Sequence, residues 1–285
     1  MDQLTFVSHG KVISYRSAGV GPTVLLIHGG DPGVGPGGLL WSRNIDELAA
    51  AGFRVLAPDR PGFGWSDGLE DPAQHDVDFF VDGLEDLLDQ VGGGRLHGLV
   101  GQSRGALLAT MLWMRRPADV EKVVFANTNS LAPAYGATSK AAQGNPEHSR
   151  RQRLEALMVG HRGLGEQWWA EDAAIGRRDE IVSTLAAHRL ARADYLDKLG
   201  TRKLQAIEWL RTTPLSQPVL LTWGIGDPMT TIADAAEVFG MVDHGTNDVS
   251  MQVINRCGHF PFLEYPSWFT DHAKNFLTET SDRSV

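Results

Sequence analysis

Gly101-Gln102-Ser103-Arg104-Gly105 sets a serine between two glycines, directly after the apolar run LHGLV and directly before ALLATMLWM. The spacing fits G-x-S-x-G, in which a sharp strand-to-helix turn presents a serine hydroxyl for attack. Bulky neighbours would collide with the strand and helix there, and the backbone N–H of Arg104 would face a developing oxyanion at the helix N-terminus. Thirty-two glycines make the five-residue pattern weak evidence by itself. A serine needs a base to take its proton and a carboxylate to orient that base. On this type of turn the chain order is serine, acid, histidine. LLTWGIGDPMT places Asp227 just past a buried strand, and INRCGHFPFLEYP does the same for His259. Asp-Pro is also a common turn signal. The chain has ten histidines, but only His259 follows a late strand and a glycine in this way.

A second glycine-rich stretch, LLIHGGDPGVGPGG, follows an earlier apolar run. Glycines let backbone N–H groups approach a ligand closely, so Gly30 is the candidate for a second oxyanion donor, with His28 bracing the loop. A carboxylate beside an oxyanion opposes charge development, so Asp31 is expected to turn away and bond the loop's own backbone. No HExxH spacing suggests a metal. GVGPGG lacks the lysine of a phosphate loop, and no GxGxxG follows the first strand of a βαβ unit. No metal and no cofactor are expected. Cys257, Trp168, Trp169, Met111 and Met158 read as core packing.

The elements that must carry these groups follow from hydrophobic patterning. LTFVSHGKVISYRSAG alternates and breaks at His9-Gly10, which suggests an opening antiparallel hairpin. TVLLIHGG, RVLAPD, LHGLVGQS, VEKVVFAN and PVLLTWG are short continuous apolar runs, the pattern of strands buried on both faces of a parallel sheet. SRNIDELAAAG, VDFFVDGLEDLLDQVG, GALLATMLWMRRP and SWFTDHAKNFL read as helices. Such alternation predicts an α/β fold with a mostly parallel central sheet and helices on both faces. Between Asn127 and Pro218 the strand signal stops and amphipathic segments take over. The expected organisation is a core domain split into 1–130 and 216–285 around a helical lid at 131–215.

With 285 residues, 42% of them hydrophobic and 21% charged, the chain can bury a sizeable core. A formal charge of −9 disfavours nucleic acid and anionic membrane surfaces as partners. One cysteine cannot form an internal disulfide, and no apolar run approaches a bilayer span. A cytoplasmic protein acting on a small molecule is the expectation.

Over nearly its whole length the sequence resembles the α/β-hydrolase superfamily, and within it the meta-cleavage product hydrolases, which cut a carbon–carbon bond in ring-opened aromatic catabolites. HGGDPGVGPGG is similar to that family's oxyanion loop. SRNIDELAAAGFRVLAPDRPGFGWSD is similar to its following helix, strand and turn, and RCGH to its histidine segment. The resemblance implies an α/β-hydrolase fold, Ser103 as nucleophile, Asp227 as acid, His259 as base, and oxyanion donors at Gly30 and Arg104. It also implies a lid arginine gripping a substrate carboxylate, which falls on Arg178 with Arg177 beside it, and a homodimer or higher homo-oligomer. Gln102, Phe260 and Leu40 stand at substrate-contacting positions where the family has asparagine, tryptophan and asparagine. The pocket is therefore expected to be more apolar than its relatives'. A carboxylesterase or lactonase with the same triad is the alternative, and a non-catalytic ligand-binding protein on the same scaffold is the alternative of another class.

Overall fold

A computed structural model describes residues 1–133, 149–159, 163–246 and 248–279. The opening hairpin is β1 (Asp2–Ser8) and β2 (Lys11–Ala18), paired antiparallel. β3 (Thr23–Ile27) leads through a 3-10 turn at Gly37–Trp41 into α1 (Ile45–Ala50) and β4 (Arg54–Pro58). Then come α2 (Val77–Leu87), β5 (Gly98–Gln102), α3 (Arg104–Arg115) and β6 (Val123–Ala126). Between β6 and the next strand stand α4 (Arg150–Glu155), α5 (Glu166–Gly176) and α6 (Asp179–Thr212). The chain closes with β7 (Val219–Gly224), α7 (Ile232–Thr246), β8 (Val249–Ile254), α8 (Pro261–Glu264) and α9 (Pro266–Thr278).

The eight strands form one sheet in the order β1-β2-β4-β3-β5-β6-β7-β8, parallel from β4 to β8. Every residue of β3, β5, β6 and β7 is buried, as continuous apolar runs require when helices cover both faces. The two-residue period of a strand sorts them. Leu25, Ile27, Leu99, Val123, Phe125 and Leu221 pack with Phe80, Leu84, Leu107 and Met111 of α2 and α3. Val24, Leu26, Val100, Val124 and Leu220 pack on the other face with Ile45, Leu48, Phe269 and Leu277 of α1 and α9. Each such side chain contributes about 1.5–3 kcal/mol by leaving water.

The inserted helices join both cores. Tyr195, Leu199, Ile207 and Leu210 of α6 belong to the first cluster, and Leu154, Met158, Trp168, Trp169 and Ile175 to the second. Two segments that look separable in the sequence, GEQWWAEDAAIGRRDEIVSTLAAHRLAR and ADYLDKLGTRKLQAIEWLRT, share the single 34-residue α6. Gly200 within it costs only ~1 kcal/mol relative to alanine, too little to stop a helix packed along its length. Among the described residues no helix is long and apolar enough to cross a membrane.

Candidate active site

Ser103 is the hinge between β5 and α3, with φ 52° and ψ −121°. A serine in that region stores roughly 1–3 kcal/mol of strain, which persists only where surroundings over-determine it. Here they do. Ser103 N–H donates to Ala126 O at 3.1 Å, and Thr128 Oγ1 donates to Ser103 O at 3.1 Å. The flanking glycines are demanded by contact. A Cβ at Gly101 would lie 2.6 Å from Ala106 Cα, and one at Gly105 would lie 2.3 Å from Ile27 O. Arg104 is the first residue of α3, so its N–H has no intrahelical acceptor.

The loop after β3 lies against this turn. A Cβ at Gly29 would stand 2.8 Å from Ser103 Cβ and 2.6 Å from Gln102 Oε1, while Gly30 has φ 88°. Beneath the loop, buried Arg60 points Nη2 at His28 O, Gly29 O and Gly30 O, at 3.2, 3.0 and 3.3 Å. Burial pulls the Arg60 guanidinium down to about 10. The His28 imidazole accepts from Arg60 N–H at Nε2 (3.3 Å) and meets Gly29 O at Nδ1 (2.8 Å). Burial, then the Arg60 charge, push His28 well below its ordinary pKa, so it is a neutral brace as expected.

Asp227 and His259 come from the loops after β7 and β8 and meet at the carboxyl edge of the sheet. His259 Nδ1 lies 2.6 Å from Asp227 Oδ2. Asn127 Nδ2 donates to the same oxygen at 2.7 Å, Thr230 Oγ1 also donates to it, and Met229 N–H donates to Oδ1 at 2.7 Å. Burial alone would raise the Asp227 carboxyl, but the His259 charge and these hydrogen bonds hold it below its usual value. Asn127, itself at φ 39°, accepts Gly224 N–H at 3.0 Å and so ties the acid's loop to the end of β7. The arrangement can keep the His259 proton on Nδ1 and leave Nε2 to accept one.

Three expectations for neighbouring side chains need correction. Arg178 commits its fork to protein groups. Nη1 donates to Gly64 O (2.6 Å) and Ser66 O (3.0 Å), and Nη2 lies 3.5 Å from Glu180, so the guanidinium fastens the 64–66 turn to the start of α6. Arg177 is exposed at the end of α5. Gln102 is committed at both ends of its amide: Oε1 accepts Gly29 N–H at 3.0 Å and Nε2 reaches His259 O at 3.5 Å. It is a strut between the glycine loop and the histidine loop. Asp31 pairs with the Arg104 side chain rather than with its own loop's backbone, because a charged partner one residue past Ser103 outcompetes neutral amides.

Leu40 and Phe260 are 3% and 4% exposed in one apolar cluster with Met158 and Trp168, and the Phe260 ring stands edge-on to His259 at 5.1 Å. Cys257 is buried, and burial pushes its thiol well up, so it does not supply a thiolate. Sequence reasoning missed Asn127, Thr230, Arg60 and Glu264. Asn127 had a signal, since it ends the apolar run VVFA at the carboxyl edge where sites gather.

A strained serine at a strand-to-helix turn, under a glycine loop and near an Asp-His pair at the sheet's carboxyl edge, defines the α/β-hydrolase class of protein. The chain belongs to the alpha/beta hydrolase fold family, whose model matches residues 22–266. It is 26% identical over 282 residues to the 2-hydroxy-6-oxononadienedioate/2-hydroxy-6-oxononatrienedioate hydrolase 1 of Dechloromonas aromatica (strain RCB), covering 93% of this chain and 90% of that protein. It is 27% identical to the 2-hydroxy-6-oxo-6-phenylhexa-2,4-dienoate hydrolase of Comamonas testosteroni, covering 94% and 92%. Among solved structures, the meta-cleavage product hydrolase of Pseudomonas fluorescens IP01 superposes with a TM-score of 0.78 at 23% identity, covering 96% of each chain.

Proposed function

We propose that the protein is a serine hydrolase that cleaves the carbon–carbon bond of a 2-hydroxy-6-oxo-dienoate ring-cleavage product. The observation that carries the reading is the Asp227–His259 pair at 2.6 Å on the same sheet edge as the strained Ser103. The names of relatives matched over more than nine-tenths of the chain supply the substrate class. His259 takes the Ser103 proton, Asp227 holds the imidazole tautomer, and the N–H groups of Gly30 and Arg104 receive the oxyanion. The dienol is first converted to its keto form, with a proton moved from the 2-hydroxyl to C5. Ser103 Oγ bonds to C6. As the C5–C6 bond breaks, its electron pair passes into the conjugated 2-keto acid, which takes a proton from His259. A water deprotonated by His259 then displaces Ser103 from C6 to release the carboxylate. Helices α4 to α6 serve as the lid over this site. A small-molecule partner and a cytoplasmic location accord with the charge of −9 and the single cysteine.

An esterase reading is favoured by one observation. Arg178, expected to grip the dienoate carboxylate, and Gln102, at a substrate-contacting position, are already engaged with protein backbone. Stopped-flow absorbance with the 6-phenyl dienoate beside a nitrophenyl ester separates the readings. Loss of the dienoate band with benzoate formed supports the carbon–carbon hydrolase. Ester turnover with an untouched dienoate replaces it with an esterase, and no fluorophosphonate labelling of Ser103 replaces both with a binding protein.

A further inference from the structure

The three successive backbone N–H groups around the proposed catalytic histidine are all held from outside its own loop. Gly258 N–H and Phe260 N–H donate to Glu264 Oε1 at 2.9 and 3.4 Å, and His259 N–H donates to Leu157 O at 2.7 Å. Glu264 ends α8 and is 4% exposed. Its other oxygen, Oε2, accepts the Val159 N–H at 2.7 Å. Leu157 and Val159 belong to the inserted segment just after α4. One carboxylate therefore grips the histidine loop with one oxygen and the inserted segment with the other, and the segment's own carbonyl returns to His259.

Packing shows how closely the two are fitted. A Cβ at Gly258 would lie 2.3 Å from Leu157 O and 2.8 Å from Met158 Cα. A Cβ at Gly226, next to Asp227, would lie 2.6 Å from Val159 Cγ2. Residues 157–159 thus press on both the acid's loop and the histidine's loop. Burying a carboxylate is costly unless hydrogen bonds offset it. Here backbone N–H groups from two separate parts of the chain oppose that cost, while burial still holds the Glu264 carboxyl above its ordinary value. An amide side chain could not replace it, since glutamine offers one accepting oxygen where this site uses two.

We propose that Glu264 is a positioning residue that latches residues 157–159 to the His259 loop, so that His259 is held toward Asp227 only while the inserted segment is seated. The proposal deepens the hydrolase reading above and rests on His259 being its base. Its test uses the whole protein with Glu264→Gln, Gly258→Ala and the double variant, read by kcat, KM, the rate of fluorophosphonate labelling of Ser103, and amide hydrogen exchange.

Losing one charged hydrogen bond is expected to slow kcat and labelling by roughly tenfold or more in Glu264→Gln. KM should stay within about threefold, because the group lost holds the base rather than the substrate. Amides of 157–159 and 258–260 should lose protection together while those of β3 to β7 keep theirs. Gly258→Ala leaves Glu264 in place and should give the same pattern, and the double variant should be little slower than the worse single one, since both break one contact. A Glu264→Gln protein with wild-type kcat and labelling overturns the proposal. So does faster exchange confined to 157–159, or a double variant whose losses multiply. The exchange readout needs no substrate, so a wrong substrate class leaves this test intact. Failure of the hydrolase reading shows instead as wild-type protein that neither labels nor turns over ester or dienoate.

Discussion

Two acidic side chains stand in loops at the sheet edge that carries Ser103, and their surroundings give them opposite electrostatic roles. The first, Asp227, is buried, accepts from Asn127, Thr230 and Met229 N–H, and faces a single imidazole. The second, Asp31, is paired with the Arg104 guanidinium, with the Tyr195 hydroxyl 3.4 Å from the same guanidinium. Beyond them His188 Nδ1 meets His75 Nδ1 at 3.1 Å, and burial with neighbouring positive charge brings His188 down to about 3. The first wall ends in an imidazole able to take a proton. In the second an anion faces a cation, and burial favours the neutral form of both histidines. Acids and bases of the same kinds thus build an oriented Asp-His pair, the proposed base of Ser103, in one place and an ion pair beside two hydrogen-bonded histidines in the other.

The largest effects should come from breaking the first wall. Asp227→Asn keeps the shape but favours the wrong imidazole tautomer, and should lower kcat by about 10⁴-fold. Ser103→Ala should lower it at least as far; dienoate or ester turnover checks both. Asn127→Ala should follow, at roughly 10–100-fold, because it strips one donor from a buried carboxylate at a cost of about 1.5–3 kcal/mol. Fluorophosphonate labelling should slow in parallel. A full-speed Asn127→Ala enzyme would mean that Thr230 and Met229 N–H hold Asp227 unaided.

The second wall should respond more weakly and with sign. Arg104→Met leaves Asp31 as an unopposed negative charge near the oxyanion, and should slow kcat roughly five- to tenfold, an interaction of about 1 kcal/mol across a partly solvated site. Asp31→Asn frees the positive charge and should raise kcat by about twofold to fivefold, more at low salt. Equal losses in both variants would show that the pair shapes the loop rather than cancelling charge near it.

How far the site was legible in the sequence differs between the walls for a physical reason. The places of Ser103, Asp227 and His259 just past strand ends were readable because glycine turns mark them locally, and their order along the chain is itself a constraint. The sheet was readable from its continuous apolar runs. Arg178, Gln102 and Asp31 were assigned by type and position, but where a long or forked side chain ends depends on which distant backbone reaches it first. For Arg178 that was the 64–66 turn, more than a hundred residues away, and for Gln102 the Gly29 amide. Glu264 was invisible for the same reason, as its partner at Val159 lies 105 residues earlier in the chain.

The smallest effect on activity and the sharpest test of the second wall is His188→Gln. His75 Nε2 meets Leu69 O at 3.0 Å, so it carries the proton there and its Nδ1 accepts from His188. Glutamine can still donate to that nitrogen but cannot titrate. His188 is held at about 3, against an ordinary value near 6.5. Its folded pKa is depressed, so the unfolded chain takes up the proton first, and stability present above pH 6.5 is lost as pH falls toward 3. At pH 5.0 the linkage amounts to about 2 kcal/mol. Asp59, raised to about 6 by burial, works in the opposite direction, but it is present in both proteins and cancels in the difference. The fall in Tm between pH 7.5 and 5.0 should therefore be smaller in His188→Gln by about 4–8 °C, with kcat at pH 7.5 little changed. An unchanged slope would mean that His188 is charged in the folded protein.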